Sequence, residues 1–233
     1  MVASLLAAWL FVEAGPVAAN PGFAATPART AAATTVLDRE AAPRCPQTVA
    51  HCFGLDVHVA ATDGRPVATP DWLDGQVAEA NRHFAAIGVG FEIASVTAIA
   101  SHYAHVATRK QRDRIGHEPG RRKRQGLIRL FVVARLDDVD KPGEQIRGVH
   151  WRRRQNIKQR WIILSTIARP MVLAHELGHY FGLPHATHPK SIMNKRKRKH
   201  PPPHARTFTT PELAILRRER DAAVTSGHLV PRR

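Results

Sequence analysis

From Phe53 the apolar positions Leu55, Val57 and Val59 alternate with others, which predicts a strand ending at the turn Asp63-Gly64-Arg65-Pro66. Asp71 is placed to cap a helix that carries Leu73, Val77, Ala80, Phe84 and Ile87 on one face and stops at Gly88. Val89 to Ile99 reads as a second strand. The segment from His102 to Gly126 is polar, basic and poorly patterned, an excursion with at most one short helix. Leu127 to Arg135 is an apolar run suited to a central strand covered on both faces. Gly148 to Trp151 and Trp161 to Ser165 read as shorter strands separated by a basic turn. A helix begins near Pro170, a residue favoured in a first turn, and passes through His175. Thr209, Thr210, Pro211 and Glu212 open a last helix that runs to Ala223. The order predicts one α+β domain over residues 53–224, with no internal repeat.

The flanks have a different composition. Val2 to Val12 is apolar and is followed by Val17-Ala18-Ala19, so residues 1–19 have the pattern of a secretory signal peptide. The run is shorter than the ~20 residues a membrane-spanning helix needs. The expected location is outside the cytoplasm, either secreted or in a periplasm or cell envelope. Residues 20–52 are rich in alanine, proline and threonine and read as a linker or pro-segment that contains Cys45 and Cys52. In an exported chain those two cysteines most simply close a small disulfide loop. Residues 225–233 read as a flexible tail.

Candidate chemistry is concentrated between His175 and His185, which read His-Glu-Leu-Gly-His-Tyr-Phe-Gly-Leu-Pro-His. Residues four apart share a helix face, so His175 and His179 can present two imidazoles to one metal ion. Glu176 lies beside that face, where it can take a proton from a zinc-bound water. Gly182 permits the left-handed turn that ends a helix and brings His185 back as a third ligand. Three protein ligands leave a tetrahedral position open, which a catalytic zinc requires. His188 fits the spacing less well and reads as a surface histidine, as do His200 and His204 in their proline-rich stretch.

The spacing His175-Glu176-His179-Gly182-His185 resembles the zinc signature of the metzincin metallopeptidases, and Ser191-Ile192-Met193-Asn194 resembles their Met-turn, with Met193 at the matching position. The resemblance implies a catalytic domain with a twisted, mostly parallel sheet of about five strands and an antiparallel edge strand. It adds an active-site helix and a small C-terminal subdomain ending in the final helix. It implies one catalytic zinc held by His175, His179 and His185, and a peptide substrate lying along the edge strand at Gly148 to Trp151. Glu176 would act as general base and then acid in a secreted endopeptidase. Ala186 follows the third histidine and Lys195 stands where astacin-like members carry tyrosine, so no subfamily is assigned. Pro43-Arg44-Cys45 resembles the matrixin cysteine switch, but the residues after it do not continue that motif and Cys52 offers a competing partner.

Charge alters the expected surroundings more than the fold. The formal balance is +16, with clusters at Arg121 to Arg124, Arg152 to Arg154 and Lys195 to Lys199. Such charge attracts anionic polymers or surfaces, although no base-stacking nucleic-acid module is visible. Basic side chains from Lys195 to Lys199 could favour acidic substrate residues. The chain is expected to work as a monomer. The competing reading is a non-catalytic, basic polyanion-binding protein with a metal-stabilised fold; Glu176 speaks against it, because a structural zinc site needs no base.

Overall fold

The computed structural model describes residues 44–117, 125–196 and 200–232, with only the backbone at 157 and 158. The expected signal peptide, residues 20–43 of the linker, Pro43 of the switch-like triplet, Arg121 to Arg124 and residues 197–199 lie outside the described residues.

The strand predicted from Phe53 starts two residues earlier, as β1 (His51–Thr62), and turns through Asp63-Gly64 into the short β2 (Arg65–Pro66). Helix α1 (Pro70–Phe84) follows, and a single 3-10 turn (Ala85–Ile87) carries the chain to Gly88. The cap of α1 is Thr69 rather than Asp71: its hydroxyl accepts from the Trp72 N–H at 3.2 Å. Pro70 fits the first helical position, where its missing N–H costs nothing, so Asp71 falls inside the first turn. Strand β3 (Val89–Ile99) lies parallel to β1.

The excursion contains β4 (His105–Val106) and α2 (Arg109–Ile115), and leads to β5 (Ile128–Val133) and β6 (Arg135–Leu136). β4 and β6 form a separate two-stranded sheet that the polar composition did not announce. Next come β7 (Gly148–Arg153) and β8 (Asn156–Ser165), an antiparallel pair. β8 begins five residues before the expected Trp161, and the basic stretch is mostly ladder. Main-chain pairing satisfies N–H and C=O groups whatever the side chains carry. Helix α3 (Met171–Tyr180) and helix α4 (Thr210–Thr225) complete the order.

The main sheet runs β3-β1-β5-β8-β7, parallel except for the edge strand β7, with β2 paired to the end of β1. Both faces are covered. Leu55, Val57 and Val59 of β1 pack with Leu73, Val77 and Phe84 of α1 and with Leu173 and Leu177 of α3. On the other face, Phe131, Val133, Trp161 and Ile163 pack with Tyr103, Val106 and Ile115 of the excursion. Asp56 and His58 point to that second face, where they bond to each other and Asp56 accepts from the Ser95 hydroxyl.

Two expected boundaries move. Cys52 belongs to β1 rather than to a linker, and a disulfide ties it to Cys45. The expected free tail is docked as far as Arg232: Leu229 is buried, Val230 N–H donates to Gly126 C=O, and Arg232 N–H donates to Cys52 C=O. A buried leucine and main-chain bonds to two separate segments give the last residues a fixed place.

Candidate metal centre

Helix α3 has no side-chain cap of its own at Pro170. Gln76 of α1 supplies one from outside. Its amide oxygen accepts from Leu173 N–H at 3.2 Å, and its amide nitrogen donates to the carbonyls of Ala168 and Arg169 at 3.2 and 3.0 Å. Gln76 is 1% exposed, so these bonds are made in a dry interface and fix the start of the helix that carries the histidines.

The helix ends at Gly182, whose φ of +87° is left-handed. Leu183 N–H then bonds back to Gly178 C=O at 2.9 Å, reversing the chain so that His185 returns to the helix face. One nitrogen each from His175, His179 and His185 lies within 4.8 Å of the others. His175 Nδ1 donates to Ile192 C=O at 2.7 Å and His179 Nδ1 donates to Leu183 C=O at 2.6 Å. Those bonds fix the tautomer and leave Nε2 of both rings for a metal. The Nε2 atoms of His179 and His185 stand 3.2 Å apart, against the ~3.3 Å between two ligands held ~2.0–2.1 Å from a tetrahedral zinc. Burial lowers the pKa of all three rings, that of His185 to about 4 with help from His179, His175 and Lys195. Neutral imidazoles are the form a metal needs, so the donor set fits zinc.

Glu176 is 6% exposed and faces β7. Its Oε2 accepts from His150 N–H at 2.7 Å. Burial raises its pKa to about 7, against the opposing effects of His179, the His150 N–H and Arg112. Gly148 makes this approach possible. A Cβ there would come within 2.8 Å of Leu164 and Val172 and 3.1 Å of the Glu176 side chain. The His150 ring lies against Tyr180, with burial first and then Arg160 and Arg152 pushing its pKa down to about 3. Its Nε2 is buried without a partner among the described residues.

Met193 is fully buried beneath the helix, its sulfur against Gly178. Ser191 organises the turn: its hydroxyl accepts from Met193 N–H at 2.9 Å and donates to Glu212 at 2.6 Å. The other oxygen of Glu212 caps α4 through Thr209 N–H at 2.7 Å. Asn194 donates to the carbonyls of Thr187 and His188. His188 is exposed and serves that turn, away from the metal group, and His200 and His204 are also exposed.

The structure therefore brings His175, Glu176, His179, His185 and Met193 together. Gln76, Gly148, His150 and Glu212 join them without having been picked out from the sequence as site residues. Gly148 stands at the start of β7, where a glycine is no distinct signal, and its close approach to Glu176 shows only in the structure.

Residues 138–208 match the family model described as Matrixin. The fold is similar to metalloproteinase-II from Bacteroides fragilis, at 12% identity and a TM-score of 0.51, over 75% of this chain and 55% of that one. The chain thus spans little more than half the length of that protein. Archaemetzincin from Methanopyrus kandleri aligns at 16% identity and a TM-score of 0.46, over 76% of this chain and 98% of the other. No curated protein sequence matches. Fold and site together are similar to those of metzincin-like metalloproteinases. Its subfamily is unassigned.

Proposed function

We propose that this chain is an exported, zinc-dependent endopeptidase in which Glu176 moves the proton. The observation that carries the reading is the convergence of three neutral imidazoles on one point beside a single buried carboxyl held by the edge strand. A zinc ion held by His175, His179 and His185 would supply Lewis acidity, polarising a carbonyl oxygen and lowering the pKa of water from ~16 to about 7.

The chain's own groups do the rest. His150 N–H holds Oε2 of Glu176, which leaves Oε1 to take a proton from water and return it to the departing amine. Gly148 keeps β7 close enough for that bond. β7 is the antiparallel edge of the sheet, and such an edge can grip an extended peptide along its length by main-chain hydrogen bonds. A grip of that kind presents internal bonds rather than chain ends, which favours endopeptidase action. Export is supported by the apolar pattern of residues 1–19 and by the Cys45–Cys52 bond, a linkage that persists in oxidising compartments.

The test is Glu176→Gln, which keeps the shape and removes the base. Zinc content should stay at the wild-type level while peptide turnover falls by about 10²–10⁴-fold. Undiminished turnover in a zinc-loaded variant would contradict the role.

A further inference from the structure

Two exposed cations lie on segments that border the metal centre, Arg152 on β7 and Lys195 just after Met193. Side chains alternate faces along a strand, and Gly148 and His150 mark the face of β7 turned to α3. Arg152 therefore projects to that same face, two residues further towards the His179 end. Met193 C=O accepts from Ala186 N–H beside His185, and Lys195 follows two residues on.

Neither cation has a carboxylate partner among the described residues. By contrast, Arg82, Arg109, Arg135, Arg218, Arg220 and Arg232 each pair with one.

We infer that the cleft selects acidic peptides, with Asp or Glu side chains flanking the scissile bond met by Arg152 and Lys195. The position of that bond rests on the peptidase reading above; the charge rests on these two side chains. One exposed ion pair contributes little. Two at separate positions along an extended peptide also fix its register, because a slipped peptide loses one of them. The overall charge of +16 attracts any polyanion, so the distinguishing claim lies in these two positions.

The test is fluorescence anisotropy on the full chain, with a labelled peptide carrying Asp and Glu at both flanks and its Asn/Gln counterpart. At low salt the acidic peptide should bind about fivefold tighter. The preference should vanish near ~1 M salt, where charges are screened beyond ~3 Å. Arg152→Gln with Lys195→Gln should bring the ratio to about one, whereas Arg65→Gln with Arg217→Gln, both away from the cleft, should leave the preference in place. Equal binding of the two peptides, or equal loss in the remote pair, overturns the inference. Hydrolysis of the same peptides separates the two claims: cleavage without acidic preference contradicts this inference alone, and acidic preference without cleavage contradicts the peptidase reading alone.

Discussion

Gly148 and His150 contribute to the centre through backbone, one by lacking a side chain and the other by its N–H. Gly148→Ala forces a methyl against Leu164, Val172 and Glu176, so it should cost about 1–3 kcal/mol, measured by urea unfolding. Turnover should fall further than zinc content, because the base is displaced and the ligands are not. Unchanged stability and turnover would show that the contact relaxes at no cost. His185→Ala should lose zinc on dialysis while His188→Ala keeps it, and the reverse result would exchange their roles. At this scale the metal ligands were legible because their chemistry depends on side-chain type and a fixed spacing. His150 was not, since a main-chain N–H leaves no mark on residue identity.

Helix α3 is set in place by its neighbours. Gln76 of α1 caps its start, and Glu212 at the start of α4 holds Ser191 in the loop that packs Met193 beneath it. Gln76→Leu removes the partner of Leu173 N–H and of the Ala168 carbonyl in a buried interface, while Arg169 C=O keeps the Val172 N–H, which should cost about 1–3 kcal/mol. Thermal unfolding should show the loss, and zinc should bind more weakly as the first turn frays; a variant as stable as the parent would deny the cap. Element order and type were legible from the helical period of α1, the alternation in β1 and the apolar run of β5. Three particulars were not. Thr69 displaced Asp71 as the cap because Pro70 takes the first helical position, β8 extended into basic sequence because ladder bonds ignore side-chain charge, and the β4–β6 pair was too short to carry a period.

At the scale of the whole molecule, the first and last stretches of the described residues close on each other. Cys45 is bonded to Cys52 at the start of β1, and Arg232 N–H reaches the carbonyl of the same Cys52. Leu229 is 1% exposed, so Leu229→Ala should cost about 2–5 kcal/mol, read as a lowered urea midpoint. A change within error would return the tail to a peripheral role. The sequence offered no period over these last residues, since their partners lie far away along the chain. The class of the domain was legible from one motif and the order of its elements, and Lys195 from its place after the Met-turn, while Arg152 acquired a place beside the centre only in three dimensions. The most direct test of the account is hydrolysis of an unfolded protein substrate, with and without a chelator, with zinc measured on the same samples. The account predicts one zinc per chain and cleavage at internal bonds that stops on chelation and returns with added zinc. Cleavage that survives removal of the metal, or a fully zinc-loaded chain that cleaves nothing, would contradict it.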